Sequence, residues 1–170
     1  MSEYRSIIMR ANRLLGANLV ENNLIRIEDL ETANERLFQI IEEGTERDAS
    51  LLHILINELK VLTEDSILSF LVDERGVGII DLNDIEMADD LRLEIRSESC
   101  WATWTVPFDR EEDFHYVATC YYMSDAVRQY WEKELGGSIV WFVTTMKSLT
   151  DMLERVENER IAIAPAGAAS

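Results

Sequence analysis

Sliding the first part of the chain along itself by 37 positions lays Leu15 on Leu52, Leu19 on Ile56, Leu24-Ile25 on Val61-Leu62 and Leu30 on Ile67. A repeat of that length is one supersecondary unit used twice. Within each copy the apolar residues fall at helical spacing. Ile7, Ile8, Ala11, Leu14, Leu15, Asn18 and Leu19 make one stripe, and Ile27, Leu30, Ala33, Leu37, Ile40 and Ile41 a second. Leu51, Leu52, Leu55, Ile56 and Leu59 make a third. The fourth is Ile67, Leu68, Phe70, Leu71 and Val72, opened by Thr63-Glu64-Asp65 as a cap and acidic first turn. The joints at Asn22 to Ile25 and Leu59 to Leu62 are too short for anything but helix hairpins. Residues 1–75 are therefore predicted to form four helices in two hairpins.

Breakers are scarce, with seven glycines and two prolines in 170 residues, so Gly76 and Gly78 mark a seam. Beyond it the pattern alternates. Val77 to Leu82 reads as a short strand and Asp89 to Ser99 as a helix. Trp101 to Phe108 and Phe114 to Tyr121 are rich in Trp, Thr, Val, Tyr and Phe and read as strands, with Asp109 to Asp113 as their hairpin loop. Ser124 to Leu135 reads as a helix closed by Gly136-Gly137, Ile139 to Val143 as a strand, and Met146 to Val156 as a last helix. The predicted fold class is α+β: a four-helix repeat over 1–75, then a small α/β unit over 76–157 with a three- to four-stranded sheet and helices. The segment 158–170, ending in Ala-Pro-Ala-Gly-Ala-Ala-Ser, is predicted to be disordered.

Charge narrows the partners. Against 33 acidic residues stand 16 Lys plus Arg, a formal charge of −17, which repels nucleic-acid backbones and anionic lipid surfaces. Cys100 and Cys120 allow at most one bridge. The opening Met-Ser-Glu-Tyr-Arg lacks the basic and apolar regions of a signal peptide, and no apolar run reaches the roughly 20 residues of a spanning helix. A cytoplasmic location without membrane insertion is the expectation.

Three segments carry a resemblance to a known family. They are Leu-Leu-Gly-Ala-Asn-Leu-Val-Glu-Asn-Asn-Leu-Ile (14–25), Leu-Leu-His-Ile-Leu-Ile-Asn-Glu-Leu-Lys-Val-Leu-Thr-Glu-Asp (51–65) and Val-Gly-Ile-Ile-Asp-Leu (77–82). With Ala-Thr-Trp-Thr-Val-Pro-Phe (102–108) and His-Tyr-Val-Ala-Thr-Cys (115–120), their order resembles the N-terminal domain of type II secretion and type IV pilus assembly ATPases over about residues 8–157. Those ATPases continue into a motor domain. This chain has no Gly-x-x-x-x-Gly-Lys-[Ser/Thr] to cradle phosphates, so ATP hydrolysis is not expected of it. The resemblance implies a non-enzymatic adaptor that binds a protein of a secretion or pilus assembly apparatus, either an inner-membrane platform protein or the motor ATPase, and that carries no cofactor.

A branch of that family binds cyclic di-GMP through the helical repeat, using Arg-Leu-Gly at the start of each unit, a hairpin Gly and a late Gln. The matching positions here hold Leu14 and Leu51, with Arg13 adjacent to the first. The following Gly is kept as Gly16 and becomes His53 in the second copy; the hairpin Gly becomes Asn23 and Lys60; the Gln becomes Leu37 and Glu74. Arg13, Gly16 and Asn23 are the candidate nucleotide residues of this alternative reading. Trp101 and Trp104, placed on one strand and pointing opposite ways, are the candidate interface residues, one of them as an exposed anchor. His115 and Cys120, an odd number of residues apart on one strand, face opposite ways and form no nucleophile–base pair within it. Neither cysteine has metal-ligand spacing, and the acidic 109–113 cluster lacks the pattern of a calcium loop, so no metal is expected. Homo-oligomer contacts through an exposed aromatic remain compatible with the sequence.

Overall fold

Helix α1 (Arg5–Glu21) and helix α2 (Ile27–Glu42) form where the first two apolar stripes stand. The structure, a computed structural model, describes residues 4–44 and 49–163. Helix α3 opens at Leu51–His53 under the Ser50 cap, whose Oγ accepts from His53 N at 3.1 Å, and continues as a π-helical turn over Ile54–Glu58. Helix α4 (Glu64–Arg75) starts at Thr63, whose side chain accepts from Ser66 N, and stops at Gly76 in the left-handed conformation. The twofold repeat is visible in the backbone itself. Asn23 and Lys60, equivalent under the 37-residue shift, both have positive φ, 60° and 55°. Each reverses the chain after its first helix, with Leu24 N donating to Leu19 O and Val61 N donating to Leu55 O.

After the seam come strand β1 (Gly78–Ile79), a 3-10 turn over Leu82–Asp84, and helices α5 (Asp89–Glu94) and α6 (Ser97–Thr103). Strands β2 (Thr105–Glu111) and β3 (Phe114–Thr119) form an antiparallel hairpin, followed by α7 (Asp125–Leu135), β4 (Ser138–Val143) and α8 (Met146–Ile163). The four strands lie in the order β1-β4-β3-β2, with β3–β4 and β4–β1 parallel. The α+β class and the predicted order of strands and helices hold.

Four local expectations are corrected. The helix expected around 89–99 is two helices, broken at Ile95, whose φ/ψ is extended. The residues Trp101 to Thr103 are helical rather than the start of a strand; Thr103 Oγ1 donates back to Ser99 O at 2.7 Å and the strand begins only at Thr105. The hairpin loop shrinks to Glu112-Asp113, because Asp109 to Glu111 pair with Phe114 to Tyr116 after an irregularity between Pro107 and Asp109. Residues 158–163, expected to be disordered, extend α8. No Gly or Pro interrupts them before Pro165, and the helix is tied down by an Arg92–Glu159 ion pair and by Arg160 Nη1 donating to Ile95 O at 2.7 Å. The remainder of the expected tail, 164–170, lies outside the described residues.

One hydrophobic cluster runs through both halves, from Leu15, Leu19 and Leu55 to Val106, Leu149 and Leu153. The halves are also joined by a buried polar junction. Tyr121 Oη donates to Asn12 Oδ1 at 2.7 Å and pairs with Ser50 Oγ at 2.8 Å. Asn12 Oδ1 also accepts from Leu51 N at 3.0 Å, while its Nδ2 donates to Ile8 O at 2.8 Å. Every polar side chain in this group is satisfied, which is the condition for burying it without penalty.

Candidate functional site

The residues nominated for nucleotide binding occupy three different environments. Arg13 is exposed on the outer face of α1. Gly16 is buried; a Cβ there would meet Leu30 Cδ1 at 2.6 Å and Leu51 Cδ2 at 3.0 Å, so the glycine lets α1 approach α2 and α3. Asn23 is exposed at the hairpin joint, beside an open groove of about 560 Å³ shared with Leu24, Arg26, Asp29 and Val61. Arg26 in that groove is paired with Asp29 at 3.5 Å. The structure brings Asn23 to a groove and leaves Arg13 and Gly16 outside it.

The tryptophans are not arranged as an exposed anchor. Trp101 lies in α6 and Trp104 caps it at φ 50° and ψ 51°. Their rings meet edge to face, 5.7 Å apart. Trp104 is 8% exposed, and Trp101 is half-buried with Nε1 donating to Glu157 Oε1 at 2.9 Å. Both are packing residues. The strand reading failed because Trp and Thr carry β propensity that the local Ser99–Thr103 back-bond and the packing of α6 override.

The reactive side chains stand apart from each other. Cys100 and Cys120 are free and buried, and burial pushes both thiols up, away from the thiolate. Tyr121 is likewise pushed up by burial. His53 is exposed, its Nδ1 3.0 Å from Asn57 Nδ2, whereas His115 sits on β3 opposite Ile139. Among the described residues no group of three or more His, Cys, Asp or Glu is placed to hold a metal ion.

What the sheet does offer is an aromatic face. The ring of Phe108 lies 6.4 Å from Tyr116 and 5.7 Å from Phe142, and Tyr116 lies 6.5 Å from Phe142. Alternation along β3 and the parallel register of β4 put Phe114, Tyr116, Val140 and Phe142 on one side. Phe114 is 49% and Val140 36% exposed, while Tyr116 and Phe142 are half-buried. Carboxylates border this face. Tyr116 Oη donates to Glu111 Oε2 at 3.3 Å, and the charges of Glu111 and, less, Asp109 help hold the Tyr116 hydroxyl above its ordinary pKa. Sequence reading passed over this face, although the i, i+2 spacing of Phe114 with Tyr116 and of Val140 with Phe142 was the available signal.

Comparison with solved structures places the fold. A structure of MshE with cdg is 22% identical, covering 84% of this chain and 97% of that one, with a TM-score of 0.52. The N-terminal domain of XpsE matches in two crystal forms. One is 13% identical, covers 85% of this chain and 94% of that one, and has a TM-score of 0.55. The other is 15% identical, covers 81% and 90%, and has a TM-score of 0.52. No protein-family model matches the sequence, and no curated protein matches it either. The chain therefore has the fold of these domains, shared at low identity. Among the described residues no helix is long and apolar enough to cross a membrane.

Proposed function

We propose that this chain is a non-enzymatic docking module of a bacterial secretion or pilus assembly apparatus, acting in the cytoplasm on an inner-membrane platform protein or on the motor ATPase. The observation that carries the reading is the half-open aromatic face of the sheet with its border of carboxylates. Clustered rings supply apolar area in a form suited to hot spots. The border and the overall charge of −17 favour a partner surface that is basic around an apolar centre. Likeness of fold to the N-terminal domain of XpsE supports the choice of apparatus. Affinity capture from native cells with the full chain as bait tests it: a secretion or pilus component enriched over a bait carrying Phe114→Ser and Val140→Ser is expected. Equal enrichment by both baits, or none of such a component, would overturn it.

A second reading, binding of cyclic di-GMP, is favoured by the fold likeness to MshE, whose structure was solved with cdg. The groove at the Asn23 joint, bordered by Arg26, is where such a ligand would be sought. Calorimetric titration decides it. Heat of binding and a melting temperature rising with cyclic di-GMP concentration are its signature, and silence up to about millimolar ligand removes it.

A further inference from the structure

In a chain with 33 acids to 16 bases, a cation without a carboxylate is unusual. Arg26, Arg36, Arg92, Arg110, Arg128 and Lys147 each have one within ion-pair distance. Arg155 and Arg160 are spent on main-chain carbonyls, and Arg75 lies over the Phe70 ring. Among the described residues, Arg5, Arg10, Arg13, Lys60 and Lys133 have none of these partners. All but Lys60 stand on α1 or α7, two helices that pack on each other. Helix α1 carries three arginines and, as its only acid, Glu21 at the far end.

The packing gathers these charges. Ser124 Oγ donates to Ala11 O at 2.8 Å and Asn18 Nδ2 donates to Met123 O, which seats α1 from Ala11 to Asn18 at the start of α7. The first half of α1 then borders the rest of α7, and a groove of about 430 Å³ opens between them. Arg10, Arg96 and Lys133 line it, with Gln129 and Ser6 as neutral donors and, among the described residues, Glu134 as its one acid. Buried Ile7 and Ala126 and the half-buried ring of Tyr130 give it apolar surface. Arg96 is held in place by donating to Tyr4 Oη at 2.7 Å. Ser6, Arg10, Arg13 and Ala17 form the exposed stripe of α1, so Arg13 continues the line of charge one turn beyond Arg10.

We infer that the α1–α7 groove is a docking surface for an acidic segment of a partner protein, distinct from the aromatic face of the sheet. The cations lie along two helix sides, roughly one turn of about 5.4 Å apart on α1, rather than converging on a point. That spacing, spread along the helices rather than gathered at one point, suits a row of carboxylates along a chain better than a single phosphate. A second copy of this chain is disfavoured, because two bodies of charge −17 repel before the groove is reached. An acidic segment on a less charged protein meets three cations together at this groove, which favours one orientation of docking.

The test uses the full chain, ¹⁵N-labelled, titrated with a synthetic peptide alternating glutamates with leucines. Expected are amide shifts confined to 6–13, 96 and 126–134, and an affinity that weakens as salt rises from about 0.05 to 0.5 M. The pair Arg10→Glu and Lys133→Glu should weaken binding about tenfold or more, whereas the same charge change at Lys60→Glu and Lys147→Glu should leave it within about twofold. Circular dichroism checks that both variants fold. Overturning results are no shifts at this face, equal loss in both variants, shifts from inorganic polyphosphate but none from the peptide, or a dimer in sedimentation that Arg10→Glu dissociates. Because the readout is a defined peptide on this groove, its failure leaves the sheet-face reading untouched, and loss of the sheet-face partner does not bear on it.

Discussion

Tyr121 is fully buried, and its hydroxyl is the hub joining Asn12 of α1 to Ser50 at the start of α3. Tyr121→Phe keeps the ring but strips partners from two buried polar groups. The expected cost is about 1–3 kcal/mol, read as a lower midpoint in urea unfolding with unchanged slope. Gly16 makes a finer test of packing. In Gly16→Ala the gain in helix propensity, about 1 kcal/mol, works against displacement of the Leu30 methyl end, so stability should stay within about 1 kcal/mol of the parent. Gly16→Val adds branching that the Leu30 and Leu51 contacts leave no room for and should cost about 1–3 kcal/mol. If both were neutral in thermal melts, the close approach of α1 to α2 and α3 would not be real.

At the level of elements, the helix hairpins were legible because their information is local and repeated. Apolar spacing marks the helices, and Asn23 and Lys60 mark two reversals in the same place. Lysine has no intrinsic liking for the left-handed region, so its φ of 55° is imposed by the hairpin. Lys60→Gly should therefore raise stability by up to about 1 kcal/mol, and Asn23→Gly by less, since asparagine tolerates that region. A destabilised Lys60→Gly in thermal melts would mean that the side chain makes contacts worth more than the strain. The second half was legible in order but not in boundaries. Trp101 to Thr103 carry strand-forming residues yet are held helical by contacts to Glu157 and Ser99, distant or back-bonded partners that no window of sequence displays. The end of α8 was missed for the same reason, since its anchors Arg92 and Ile95 lie more than sixty residues upstream. The aromatic face depends on the pairing of β3 with β4, a register set only in the folded chain.

For the whole molecule, ionisation bounds stability on both sides. Cys100, Cys120 and Tyr121 have pKa values raised by burial, so their contribution is complete below their unfolded values, about 8.5 for the thiols and 10 for the phenol, and declines as pH rises toward the folded ones. Asp90 and Glu94 are shifted the other way. Hydrogen bonds from Arg110, at 2.8 Å and 2.7 Å, hold both carboxyls below their ordinary range and clamp α5 to the β2–β3 hairpin. That clamp is present above their unfolded pKa of about 4 and is lost as pH falls through the folded values. Melting temperature should therefore plateau between about pH 5 and 8 and fall on either side; a melting temperature still rising above pH 9 would contradict the buried, protonated thiols and phenol.

The large negative charge sets how the molecule meets others, and its two candidate faces have opposite character: apolar with carboxylates on the sheet, cationic between α1 and α7. On the proposed function, part of a secretion or pilus machine occupies the sheet face in cells. The most direct measurement is photo-crosslinking in native cells from benzoyl-phenylalanine placed at Phe114, with the same probe at the exposed Phe38 of α2 as control. An adduct with a secretion or pilus assembly component is expected from position 114 and none from position 38. No adduct at 114, or an identical set from both positions, would contradict it.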